Sequence, residues 1–262
     1  MKKYPLVGKG LAVGIILLFI GIACSPVINA NKVDELFKVK QNPEDKLVQV
    51  NCYEFKSDGS IEKTTILLPK SEHLKMTQAL SLTTSIEERL EVYKKYGVLP
   101  SNVSIQKIKE NYDQYLNAKK INFTAIQKYA ENYKNIRPLG IWMNTHCKIS
   151  ASIGLGININ FGMSAITQWW NVIAALIYQW RYMYIWLFLP GIDLSAFSFC
   201  VGAFIETWDG IFPDSSWDLD FCTMILLGFV GYYVEVIPLP IVLIFGEYLG
   251  YTVSVLATGA LV

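Results

Sequence analysis

The uneven distribution of charge constrains this chain more than any other feature. Residues 139–262 contain ten charged side chains in 124 positions, with Lys148 and Arg181 against eight acids. That is about 8%, far below the roughly 25% of an ordinary soluble domain. Residues 31–138 carry 18 Lys/Arg and 14 Asp/Glu, a net charge of +4. A rear portion so poor in charge must bury most of its side chains or face something other than water. The even overall balance, a formal +1, gives no basis for a nucleic-acid partner.

The N-terminus has the pattern of an export signal. Lys2, Lys3 and Lys9 precede an uncharged apolar run from Gly10 to Ala23, which leads to Ser25-Pro26 and a small-residue ending at Ala30. That run is shorter than the roughly 20 residues of a stable spanning helix. It therefore predicts cleavage after Ala30, with an uncleaved anchor as the alternative. Gly21 stands where lipidation at Cys24 would want a branched apolar residue. The sequons Asn102-Val103-Ser104 and Asn122-Phe123-Thr124 agree with export. Three segments follow from this reading: 1–30 a signal peptide or N-terminal anchor, 31–138 a β-hairpin and helical module, and 139–262 an apolar β-rich domain suited to a membrane.

Within the middle segment, Leu47 to Phe55 alternates apolar and polar residues, the period of a half-buried strand. Ser57-Asp58-Gly59-Ser60 then predicts a tight turn into a second strand, Ile61 to Leu68. Ser71 is placed to cap a helix running through Leu74 and Leu80. Thr84 and Glu87 have the spacing of a capping box, opening a helix that turns Ile86, Leu90, Val92 and Tyr93 inward and stops at Gly97. Further helices are expected over Ser104–Lys119 and Thr124–Asn135. Their tyrosines, Tyr112, Tyr115, Tyr129 and Tyr133, recur at helical spacing. Such a stripe beside lysines can stack bases, but it more commonly packs a core with the hydroxyls wet.

The apolar segment mixes two signals. Ser164 to Leu189 is long enough for a spanning helix, rich in Trp and Tyr, with Arg181 near one end. Gly154–Gly162, Leu194–Ile205, Cys222–Ile237 and Tyr248–Leu256 are Gly-spaced and β-branched or aromatic, a strand composition. The expected fold class is therefore α+β: an N-terminal β-hairpin with three to four helices, then an apolar β-rich domain with one or two hydrophobic helical segments.

Candidate chemistry is thin. Asp209, Asp214, Asp218 and Asp220 cluster in a loop but match no EF-hand spacing and suit turn chemistry. His146-Cys147 is an adjacent pair with no further ligands nearby in sequence. Glu206, Asp209 and Glu235 lack the spacing of paired acid–base carboxylates. Glu235 is notable for standing inside an apolar run. No C-x-x-C pair occurs. Cys200 and Cys222 flank one polar loop and are the first choice for a bridge, with buried free thiols as the alternative. These observations yield no catalytic residue, no metal ligand and no cofactor.

The Lys9–Gly21 signal, the Val50–Leu68 hairpin, the helix ending Lys95-Tyr96-Gly97-Val98-Leu99-Pro100 and the run Gly228-Phe229-Val230-Gly231-Tyr232-Tyr233-Val234 occur here in that order. In this arrangement the chain resembles a group of uncharacterised archaeal exported or membrane proteins. The expected function is that of an exported cell-envelope protein with a structural or interaction role, non-enzymatic and membrane-associated through its C-terminal half. Its partners would be the membrane, further copies of itself or another envelope protein. The alternative is a secreted soluble binding module, or a self-assembling protein, with a buried β core.

Overall fold

In the computed structural model, residues 47–121, 124, 127, 141–160, 192–237 and 245–261 are described. They belong to the unit spanning Lys46–Val262. The period-two pattern at its start forms strand β1 (Leu47–Phe55), which pairs antiparallel with β2 (Ile61–Pro69). Gly59, at φ +83°, turns the corner, and the Asp58 carboxylate accepts from the Ser60 backbone N–H at 2.8 Å.

Three helices follow among the described residues: α1 (Lys70–Leu80), α2 (Ile86–Lys95) and α3 (Ile105–Lys119). Their caps differ in part from the sequence expectation. Pro69, not Ser71, precedes α1 and makes no side-chain cap, because the proline ring already fixes an entry φ of −54°. The box before α2 is shifted by one residue. Ser85 Oγ accepts from Glu88 N, while Glu88 Oε2 accepts from Thr84 N. Ser104 caps α3 by accepting from Lys107 N. The further helix expected over Thr124–Asn135 lies almost wholly outside the described residues.

The α+β expectation is overturned. The remaining strands, β3 (Ile141–Asn160), β4 (Leu194–Trp208), β5 (Ser215–Leu227), β6 (Val230–Ile237) and β7 (Phe245–Leu261), join the hairpin in one antiparallel sheet. Its order is β2-β1-β6-β7-β3-β4-β5, with β5 also pairing β7. The hairpin is thus not a separate module. The second edge of β1 is completed by β6, which satisfies a row of backbone groups that an isolated hairpin would leave open.

The β5–β7 pairing closes β7, β3, β4 and β5 into a ring. Gly228, at φ +57°, makes the bend between β5 and β6, and a Cβ there would sit 2.6 Å from Val253 Cγ2. Across that bend one edge of the chain exchanges β4 for β1, while the other stays on β7. The ring interior is filled by Cys147, Ile149, Ala151, Ala203, Ile205, Leu219, Met224 and Val255, among others. Outside it, α3 lays Tyr112, Tyr115 and Leu116 against Ile225, Val230 and Val253. Helix α2 and the 98–103 turn cover the face carrying Val50, Cys52, Val234 and Leu249. The described tyrosines of the stripe, Tyr112 and Tyr115, are therefore core residues.

Candidate functional site

On most of the sheet's outer surface the helices hide the apolar side chains. On β3–β4–β5 a row of them stays open. Leu155 pairs with Val201, which pairs with Phe221, and these three are 41%, 49% and 59% exposed. Phe199, the next outward residue of β4, is 52% exposed, and Phe204 lies beyond Gly202 at 38%. Gly202 has φ +75°, and a Cβ at Gly154 would lie 2.2 Å from the Val201 carbonyl oxygen. At that crossing the burial phase switches: Ala196, Ser198 and Cys200 are buried before it, then Ala203, Ile205 and Thr207. Val201 is the last outward residue of β4 before the switch, and it lies beside Leu155, the first outward residue of β3 after Gly154. Single exposed apolar residues are ordinary, but contiguous rows mark contact surfaces.

The row lies toward the end of the β3–β4 pair from which the connection 161–191 departs. That connection has Arg181 as its only charge. The spanning helix expected over Ser164–Leu189 falls in it, outside the described residues. Among the described residues no helix is long and apolar enough to cross a membrane, which does not bear on strands.

A second constellation, not anticipated from the sequence, is polar and buried. Arg89 of α2 pairs with Glu247 of β7, whose other oxygen accepts from the Tyr93 hydroxyl at 2.8 Å. Ser150 and Ser152 of β3 add contacts of 3.4 Å to the same carboxylate. Burial, and then the Glu247 charge, push the Tyr93 hydroxyl well above its ordinary pKa. Nearby Glu206 is raised by burial, pulled back by Arg89 and raised again by Glu247. Arg89, Tyr93, Ser150 and Ser152 all converge on the Glu247 carboxylate, which clamps α2 to the sheet.

The sequence candidates are scattered by the fold. Glu206 lies on β4 opposite Ser150 and Ser216, Asp209 in the β4–β5 turn, and Glu235 on β6 opposite Asn51 and Gly246. Glu235 is buried at 8% exposure and bonded by Tyr53, which explains an acid inside an apolar run. Asp214 accepts from the Asp209 backbone N–H at 3.0 Å, as a turn residue does. Among the described residues no group of three or more His, Cys, Asp or Glu could hold a metal. His146 sits at φ +53° and meets the Tyr112 hydroxyl through Nδ1 at 3.0 Å, whereas Cys147 points into the ring, where burial raises its pKa. The two side chains of this adjacent pair thus lie on opposite faces.

A cleft of about 260 Å³ opens between β1–β2 and the Gly97–Pro100 turn. Glu54 and Glu62 face each other there across the strands, but Lys56 pairs with Glu62 and the Tyr232 hydroxyl donates to Glu54 at 3.2 Å. Burial, with Glu54 beside it, raises the Cys52 thiol to about 12, which leaves it protonated and unreactive. The cleft therefore holds neither an unpaired acid nor an activated nucleophile. Against known proteins, no family model, no curated protein and no solved structure matches this chain.

Proposed function

We propose that this is an exported cell-envelope protein with a structural or interaction role and no enzymatic activity, seated on the membrane through its C-terminal half. The observation that carries the reading is the open row Leu155–Val201–Phe221 with Phe199 beside it. It lies on the strand pair whose connection, residues 161–191, is nearly free of charge. A bilayer is the occupant that suits both: its hydrocarbon edge accepts Phe, Leu and Val, and its interface accepts the Trp, Tyr and Arg of that connection. Exposed Asp218, opposite Phe204, and Asp220 stand at the end of the row away from that connection.

The hairpin, the helices and the buried Arg89–Glu247 clamp supply the rigid body that would project from the surface. The test is to express the full chain with a C-terminal tag, fractionate the cells and wash the membranes in alkaline carbonate. Retention in the pellet is expected. Recovery of full-length, uncleaved protein in the cytosol would overturn export. Release of the chain by carbonate would instead favour the secreted, soluble module.

A further inference from the structure

The two cysteines that flank the β4–β5 turn are brought face to face. Cys200 of β4 and Cys222 of β5 are direct partners in the antiparallel register, and each is 1% exposed inside the ring. Directly opposed residues of antiparallel strands have Cα atoms about 4.5–5.5 Å apart. That falls within the roughly 4.4–6.8 Å a disulfide spans. Their row continues on both sides with glycine: Gly156 of β3 opposes Cys200, and Gly259 of β7 opposes Cys222. A Cβ at Gly156 would lie 2.7 Å from the Cys200 Cβ, so the missing side chains let the strands close tightly around the pair. Neither of the other described cysteines has such a partner. Cys147 opposes Thr252, and Cys52 lies between Thr64 and Val234.

We propose that Cys200 and Cys222 are an oxidation site, joined by an intramolecular disulfide that staples β4 to β5 in the exported protein. The proposal rests on the export reading for its oxidising surroundings. One of the two, as thiolate, attacks one sulfur of a small or protein disulfide, RSSR, and expels RS⁻. The other then loses its proton, and its sulfur attacks the protein sulfur of the mixed disulfide, expelling the second RS⁻. The two thiol protons end on two RSH, and two electrons pass from the protein to the oxidant. Because both sulfurs are buried in the finished ring, the step belongs to the β4–β5 hairpin before β7 closes over it.

The experiment has two arms. Full-length protein in mild detergent is unfolded and refolded in a glutathione redox buffer or in dithiothreitol, then alkylated with N-ethylmaleimide in denaturant, so that buried free thiols react, and mapped by mass spectrometry without reduction. The expected result is a linked Cys200–Cys222 peptide in glutathione, with Cys52 and Cys147 alkylated. The melting temperature should rise by about 5–10 °C over the dithiothreitol sample. That rise should vanish in Cys200→Ala/Cys222→Ala. Alkylation of both cysteines in the glutathione sample, or linkage to another cysteine, overturns the proposal. In the second arm, expressing cells are alkylated before lysis and fractionated. The bond is expected in chain from the envelope fraction, and free thiols there overturn it. Recovery of the chain in the cytosol contradicts export instead, and the glutathione arm reads the bond regardless.

Discussion

Arg89 and Glu247, 158 positions apart in sequence, form a buried ion pair that ties helix α2 to strand β7. The carboxylate is the more enclosed partner and also holds the Tyr93 hydroxyl. Breaking such a pair by removing one member leaves the other charged and desolvated, which typically costs about 3–5 kcal/mol. Arg89→Leu should therefore lower the full chain's stability by roughly that amount. Glu247→Gln should cost less, since the amide still accepts from Tyr93 and Arg89 can reach water. Arg89→Leu/Glu247→Leu should cost less than the sum of its singles. Denaturant unfolding followed by Trp fluorescence reads all three, through midpoints at an unchanged slope. An Arg89→Leu variant as stable as the parent would remove the clamp from the account.

Much of the local structure was legible in the sequence. The β1–β2 hairpin announces itself through alternation and Asp58-Gly59, and α3 through Ser104, because turns and caps are chosen within a few residues. The sheet was not. That β1 finds a second neighbour in β6, or that β7 meets β5, depends on contacts far apart in the chain, and no local residue choice encodes them. Strand β3 is only half visible in the sequence: Gly154–Gly162 shows the glycine spacing, while the alternation of Cys147, Ile149, Ala151 and Ile153 with polar residues is masked by the uncharged run that starts at Ile149. Glu247 looks like one acid among glycines, and only the distant Arg89 and Tyr93 give it a role. The exposed row, too, depends on a phase switch at Gly154 and Gly202 that period-two reasoning cannot foresee.

Gly246 gives a packing prediction. A Cβ there would lie 2.1 Å from the Tyr233 hydroxyl oxygen and 2.4 Å from two ring carbons. Tyr233 cannot step aside, since it is fully buried and stacked on Tyr248 with ring centres 4.3 Å apart. Gly246→Ala should lower stability by about 1–3 kcal/mol, the usual cost of overpacking. Combined with Tyr233→Leu, which removes the obstructing ring, it should cost less than the two changes summed. Strict additivity in thermal or denaturant unfolding would contradict this contact.

His146 gives a pH prediction. Burial, and then the positive charge of Lys109, hold its pKa below the ordinary 6.5, with Asp113 opposing. The folded state therefore favours neutral imidazole. Stability is undiminished above pH 6.5 and falls as the pH drops through and below that value, because the unfolded chain takes up the proton first. His146→Asn should flatten this decline, and Asn tolerates the residue's positive φ. A remainder should persist through His73 of α1, which burial also lowers. Melting curves between pH 7.0 and 5.5 test the difference. Parallel slopes for parent and variant would count against it.

The central claim is that the outward row of β3–β4–β5 lies against lipid, and it can be read at single positions in the full chain. A fluorescent noncanonical residue is placed at Phe199, at Phe221 or, as a water-side reference, at Ser216, and the protein is reconstituted into vesicles. The probes at 199 and 221 should be quenched by nitroxide-labelled lipid and shielded from iodide, with the reverse at 216. Iodide quenching at 199 and 221 as strong as at 216, on vesicle-bound protein, would contradict it.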